Sequence, residues 1–578
     1  MRRRVAVVAL LLAFASVAGC ASVPGDSPVQ ILRRVAEGDA GVAPPGPVEG
    51  NDAGELVRGF VEASGSSTDS HGAARQFLAP EAEEGWDDSA RLTVLDSQFD
   101  TVPAPGAPDP ATDVTRIRIR GTSIGRVTAS GAFEPDPGPV QIDVTVVRID
   151  GQWRISELPD GVVVPLTEFR TNYRQVSTWF VDPSRRLVVP DLRYLPAFPT
   201  GAQVTRALEL LLAGPSEALL GAVTSQLDGG AHLRSNVATS ESGALIVDLT
   251  SVGDLDGPGR RLLAAQVVLT LAEVNIGRVR LLVDGIPLLP AQPELTRADV
   301  ADLSAEVEPG ADLPALVVAD GRLRELGTVV ASAGELPGPV GDGSYDVESA
   351  ATTVDGQRLA AVAVSAGRRL LLVGGVADGG VVEVGLTAAT MSRPSWTPTG
   401  SEVWTVLDSA EVARVLIDAT GPARIGQVDA EELAALGPIS ELRLSRDGMR
   451  VIAVVAGGLY AGAVTRSVDG EVAIRNIRQL RSTDLGEVVG ADWRSSDTVV
   501  AITRRPDRLV AQVSADGLIV QSLLVNNLTP PLNAVAAAPS RPFLVTDQSG
   551  VWSFGGGEQD AWRQVLSAAP DAVPFYPG

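Results

Sequence analysis

Between residues 305 and 578 one pattern recurs: an apolar run, a polar tight turn and a second apolar run. It reads "TTVDGQRLAAVAV" from 352, "PSWTPTGSEVWTV" from 394, "LRLSRDGMRVIAV" from 442, "ADWRSSDTVVAIT" from 491 and, more weakly, "AVAAAPSRPFLVT" from 534. Aligned on the turn, Gly356, Gly400, Gly448 and Asp497 lie 44, 48 and 49 residues apart, and Arg541 follows after a further 44. Several short strands per repeat, at a period of about 40 to 50 residues, are the mark of propeller blades. Stacking such sheets radially covers their faces and leaves only short edges exposed. The absence of a 3.6-residue period excludes a helical solenoid. This half of the chain is therefore expected to be an all-β propeller of five or six blades. A sixth blade would form if "LPALVVADGRLREL" near 313 pairs with the C-terminal "SGVWSFGG".

The preceding sequence has a different texture. In "AGELVRGFVEAS", Leu56, Val57, Phe60 and Val61 share a helix face. "AARQFLAPEAEEGW" continues as short helix and is expected to break at Pro80. Strand-like alternation follows in "RLTVLDSQF", "VTRIRIRG" and "VQIDVTVVRIDGQWRISEL", with Asp150-Gly151 as a hairpin turn. Helix first and antiparallel sheet later predicts an α+β domain over 51–165, similar to the NTF2-like cone.

A second α/β unit is expected over 172–295. "STWFVDPSRRLVVPDLRYL" reads as strand, turn, strand. "PTGAQVTRALELLLAGPS" reads as a helix with Thr200 as N-cap and Gly214-Pro215 as the stop. "GALIVDLTS" is a strand with Leu245, Val247 and Leu249 on one side. "GRRLLAAQVVLTLAEV" is apolar almost all round, which predicts a buried helix. "GRVRLLVDGIPL" closes the unit with a strand and an Asp284-Gly285 turn.

The N-terminus reads as a leader. Arg2, Arg3 and Arg4 precede the 13-residue uncharged run Val5 to Val17, then Ala18, Gly19 and Cys20. The run is shorter than the roughly 20 residues of a spanning helix and fits a secretory signal peptide over 1–19. Val17-Ala18-Gly19-Cys20 resembles the bacterial lipobox, in which the thiol is thioether-linked to diacylglycerol. Cys20 is thus the candidate lipidation site and the expected membrane attachment, since two or more acyl chains anchor stably where one does not. Residues 20–50, rich in Pro and Gly, read as a tether.

The chemistry-bearing residues are sparse. Cys20 is the only cysteine, which rules out an intrachain disulfide or a CxxC site, and His71 and His232 are the only histidines. A formal charge of −24 argues against nucleic acid as a partner. "GTSIG", Gly121 to Gly125, matches the GxSxG hydrolase pattern at Ser123, but that pattern needs a following helix. Here it lies between strand patterns and reads as a sheet turn. "GDLDG", Gly253 to Gly257, has too few ligands for a calcium loop. A wall-active hydrolase would need two carboxylates a few ångströms apart; among 71 acidic residues no pair is singled out by a motif. No catalytic residue, metal ligand or cofactor is assigned, and the expectation is a protein that is not an enzyme. Its ligand-binding residues are left unassigned.

Domain order then carries a resemblance. "ARQFLAPEAEEGW" with "GQWRISELPDGV", the phrases "WFVDPSRRLVVPDLR", "ALELLLAGPS", "LIVDLTS" and "LLAAQVVLTL" of a GerMN-like domain, and the C-terminal repeats together resemble the actinobacterial lipoprotein family LpqB. The resemblance implies a lipid-anchored protein on the extracytoplasmic face of the cell membrane. It also implies an accessory role toward the MtrA–MtrB two-component system, with the extracellular domain of the sensor histidine kinase MtrB as partner and effects on cell envelope and division. The alternative is a module that binds cell-wall glycan or peptide, with peptidoglycan as partner.

Overall fold

The first helix, Ala53–Ala63, begins where a capping box makes it begin. The Asp52 carboxylate accepts the Glu55 amide at 2.8 Å, and the Glu55 carboxylate accepts the Asp52 amide at 3.2 Å. The computed structural model to which this helix belongs describes residues 44–108, 112–327, 334–377, 379–418, 422–557 and 560–578. Cys20, the lipobox-like stretch expected around it and most of the expected tether lie outside them.

Leu56, Val57, Phe60 and Val61 press this helix into a five-stranded sheet: β1 (Leu92–Pro103), β2 (Val114–Val127), β3 (Phe133–Ile149), β4 (Gln152–Glu157) and β5 (Val162–Pro165). The order is β4-β3-β2-β1-β5, antiparallel except for β1 with β5. Ile117 and Ile119 face the core, while Arg118 and Arg120 turn outward onto Asp143 and Asp100 at 2.6 and 2.8 Å. Asp150 and Gly151, both at positive φ, make the tight β3–β4 turn. Pro80 does not break a helix; it opens the helix Pro80–Gly85, where its missing N–H would have had no intrahelical partner.

The GTSIG phrase is not a turn but the interior of β2. A bulge between Ser123 and Gly125 displaces the β3 register there. A Cβ on Gly125 would collide with the Glu134 carbonyl oxygen and the Phe133 ring. Gly125→Ala is expected to cost about 1–3 kcal/mol by overpacking, read as a lower denaturation midpoint of the whole chain.

In the middle lobe, β6 (Tyr173–Asp182) and β7 (Leu187–Pro196) form a hairpin paired from Tyr173↔Pro196 to Asp182↔Leu187. Beyond it, the strand Leu245–Thr250 crosses through the helix Gly257–Ala272 to a parallel partner, Val279–Val283. That helix is buried from Leu262 through Leu271, as its all-round apolar sequence requires. Asp256 of the GDLDG phrase is its N-cap, accepting the Gly259 amide at 2.6 Å. Thr200 is not a cap. It starts a 3-10 turn, Thr200–Ala202, that runs straight into the helix Gln203–Leu212. The turn supplies partners for the first amides, so no side-chain oxygen is needed there.

Among the described residues, six four-stranded sheets make up the C-terminal lobe. Five follow the repeats. The remaining one joins Ala315–Ala319, Arg322–Leu326 and Gly334–Glu335 to Val573–Phe575, with Leu316↔Phe575 and Val318↔Val573 in register. The segment expected to close the ring, "SGVWSFGG", instead supplies Gly550–Phe554, third strand of the sixth sheet. It follows Phe543–Asp547 after a two-residue turn, and that short link compels the two to pair with each other. The closing strand therefore comes later, from the last residues described.

Adjacent blades are stitched by tryptophans. Trp396 donates its indole N–H to the Ala351 carbonyl at 3.1 Å, and Trp493 to the Arg443 carbonyl at 3.2 Å. The repeated turns share a small hydrogen-bonded unit. The Ser445 hydroxyl donates to Asp447 at 2.5 Å, the Met449 amide to the same carboxylate at 2.9 Å, and the Arg450 amide to Ser445 at 3.0 Å. Thr353 with Asp355 and Ser514 with Asp516 build it again.

Candidate functional site

The hairpin β6–β7 is buried on both sides, and the reason lies outside its own lobe. Trp179, Phe180, Val181 and Val189 enter the core of the middle lobe, which also takes Met449 and Ala463 from the propeller. Leu192 enters a propeller core, while Tyr194 joins Leu518 of the propeller in the core of the N-terminal lobe. One hairpin thus contributes side chains to three cores.

Polar groups lock the same seam. Arg450, on a propeller strand, reaches the Asp447 carboxylate with one amino group and the Pro190 carbonyl of β7 with the other. Arg185 of the hairpin turn binds Asp182 at 2.6 Å and also reaches the Asp447 carbonyl. Burial alone would raise the Asp182 carboxyl, but hydrogen bonds from Ser184 and Arg185 hold it below the usual carboxylate range. Arg193, fully buried, lies 3.0 Å from Asp191, donates to the Leu192 and Gly214 carbonyls and covers the Phe180 ring. Asp191 in turn accepts the amide and hydroxyl of Ser216, each at 2.8 Å.

Where the three lobes converge they leave a cleft of about 580 Å³. The N-terminal lobe contributes Arg126, Phe133, Glu134 and Asp136; the middle lobe Asp191, Glu217 and Leu220; the propeller Arg450, Asn476, Arg478 and Asp516. This volume lies within the roughly 300–1,000 Å³ of small-molecule sites, which favour domain interfaces. Arg478 donates to the Ala515 carbonyl at 3.1 Å, and its Nε has no hydrogen-bond partner among the described residues. Burial lowers the Arg478 guanidinium against the opposing pull of Asp516. Burial also pushes the Asp516 carboxyl above its usual range, although Ser514 and the Leu518 amide donate to it.

The residues singled out in the sequence are scattered. Ser123 is buried in β2. His71 is buried in the N-terminal lobe, and His232 is exposed on a short strand of the middle lobe. Among the described residues no group of three His, Cys, Asp or Glu side chains is placed to hold a metal ion, and no helix is long and apolar enough to cross a membrane. The cleft and clamp residues were not anticipated. Their signal was present as charges inside apolar strands, in "VVPDLRYL" and "RDGMRVIAVV".

His71 carries a pH dependence of its own. Burial lowers its folded-state pKa, with Asp88, 4.0 Å away, opposing. The unfolded chain takes up a proton at that histidine near pH 6.5 while the folded chain does not, so the unfolded state binds more protons below that pH. His71 is therefore expected to lower stability progressively as pH falls below about 6.5 toward its folded-state pKa. Comparing denaturation midpoints between pH 7.5 and 5.5 for the wild type and His71→Gln isolates the effect, which the variant should lack.

Three family models match the chain: "Lipoprotein LpqB, N-terminal domain" over residues 46–170, "Sporulation and spore germination" over 177–289, and "Lipoprotein LpqB beta-propeller domain" over 325–577. Proteins called Lipoprotein LpqB align from end to end. That of Rhodococcus opacus (strain B4) is 33% identical over 605 residues, covering 100% of this chain and 99% of its own length. The Nocardia farcinica protein is 34% identical, covering 99% and 97%. The Mycobacterium tuberculosis (strain CDC 1551 / Oshkosh) protein is 30% identical, covering 100% of each. Among solved structures, the Cps50 (Swd1) β-propeller domain of Myceliophteria thermophila aligns with a TM-score of 0.28 at 13% identity, over 37% of this chain and 67% of that one. A nidogen/laminin complex aligns with a TM-score of 0.34 at 11% identity, over 45% and 97%.

Proposed function

Since the chain belongs to the lipoprotein LpqB family, we propose that it is a non-catalytic adaptor. In this reading it is held through lipid on Cys20 at the extracytoplasmic face of the cell membrane and modulates the sensor kinase MtrB. The observation that supports this best is the shared hairpin. Three lobes with common cores behave as one body, so a contact made by any lobe positions all of them. Tethering raises the effective concentration beside a membrane receptor, which makes even a weak contact occupied. That contact biases the kinase only if it prefers one of the kinase's states.

Site-specific photo-crosslinkers placed in each lobe, in native membranes, are expected to recover the kinase, and deletion of the protein to change kinase output. Recovery of unrelated partners alone, with unchanged output, rejects the adaptor reading. Cys20→Ala is expected to move the protein from the membrane to the soluble fraction, and retention in the membrane sinks the anchoring argument.

The cleft favours a second reading, a module that binds cell-wall glycan or peptide. It predicts that the soluble Cys20→Ala chain co-sediments with purified peptidoglycan.

A further inference from the structure

The cleft has two poles of opposite chemistry. At its rim Arg126 is the shared counterion of three carboxylates: Glu134 at 2.7 Å, with Asp136 and Glu217 acting on it through space. Glu217 and Asp136 are exposed and make no ion pair within 4 Å among the described residues. The rim therefore holds more negative charge than its one arginine offsets. At the floor Arg450 and Arg478 stand with Asp191 and Asp516, but Asp191 is taken by Arg193 and Ser216 and burial pushes the Asp516 carboxyl above its usual range. Among the described residues the Arg478 guanidinium, a five-donor group, makes one hydrogen bond, from an amino group to the Ala515 carbonyl; its Nε is buried without a partner, and Asp516 acts on it through space. The other arginine of the floor, Arg450, has both amino groups taken, one by the Asp447 carboxylate and one by the Pro190 carbonyl. Leu192, Leu220 and Ile477 add apolar side chains to the cleft's lining.

We propose that this cleft binds a short zwitterionic peptide, with its carboxylate on Arg478 and its ammonium at the Asp136 and Glu217 rim. A planar guanidinium with free N–H groups suits a carboxylate, and charge-assisted hydrogen bonds are about twice as strong as neutral ones. A cleft of about 580 Å³ has room for a few residues. This rests on the wall-binding reading and narrows it to peptide rather than glycan.

The test uses the soluble Cys20→Ala chain and three equimolar tripeptide mixtures, with free termini, N-acetylated and C-amidated, titrated by calorimetry and ligand-observed NMR. The free mixture is expected to bind saturably, and blocking either terminus to weaken binding at least tenfold. Arg478→Met should do the same. Ala218→Trp, which adds bulk at another residue lining the cleft, should also abolish binding and keeps the test decisive if Arg478→Met does not fold. Equal binding of free and blocked mixtures, unchanged binding in a folded variant, or tighter binding of N-acetylglucosamine oligomers overturns the proposal. If the free tripeptides fail while peptidoglycan still sediments the chain, the peptide assignment falls and the wall-binding reading stands. If neither binds, both fall.

Discussion

Truncation before Val573 is expected to unfold the propeller. The three residues Val573–Phe575 supply one edge of the first blade, pairing with Leu316, Val317 and Val318, and Phe575 has no solvent exposure. The strand also touches the first strands of the second and sixth blades, so its loss uncovers two blade-to-blade seams as well as its own. Tyr576 donates to the Pro542 carbonyl at 2.8 Å, and the Pro577 carbonyl accepts from buried Arg446 at 2.6 Å. Phe575→Ala alone should cost about 3–5 kcal/mol, the range for removing a buried phenyl ring. The full truncation adds open strand edges and leaves the buried Arg446 guanidinium with the Ala537 carbonyl but without that of Pro577, enough to exceed a typical domain stability of about 5–15 kcal/mol. Loss of the propeller's cooperative transition in calorimetry is the expected reading. A truncated chain that melts within a few degrees of the wild type would mean that the ring is not closed by this strand.

Breaking the clamp between propeller and hairpin should be almost as severe. Arg450→Met keeps most of the side-chain volume but leaves the Asp447 carboxylate, which has no solvent exposure, without its guanidinium. It also frees the Pro190 carbonyl. Removing one partner of a buried ion pair costs about 3–5 kcal/mol because the other charge is stranded. Adding Asp447→Asn to Arg450→Met should recover part of that loss, since the stranded charge is gone, and the double-mutant cycle measures the coupling. A second signature is specific to the seam: protease sensitivity should rise at the hairpin turn near Arg185 before either lobe unfolds. A single, undivided transition with unchanged proteolysis would place the effect inside the blade instead.

The blades were legible because a tight turn between strands needs Asp, Gly or a small hydroxyl residue at fixed offsets. Gly356, Gly400 and Gly448 therefore stand in register along the chain, each at positive φ. Buried elements were legible where their neighbours impose uniform apolarity, as in the helix Gly257–Ala272. The closing strand was misread because three residues carry almost no periodic signal, and the stronger "SGVWSFGG" pattern already had a partner. Thr200 and Pro80 were misread for a related reason: residue type permits a cap or a break, and the path of the adjoining chain decides.

The candidate site was hardly legible at all. Asp191, Arg193, Arg450 and Arg478 look, one by one, like the solvated charges of an acidic protein. They become a buried clamp and a cleft because lobes far apart in the chain place them against one another, as Arg450 meets Pro190 across 260 positions. Alternation and turn chemistry are local properties, so the sequence by itself determined the kinds of element, the three-lobe order and the repeat. Which charges are buried, which strand closes the ring and what lies between the lobes depend on long-range packing. Those were decided by the tertiary structure, because desolvation acts on neighbours in space whatever their distance along the chain.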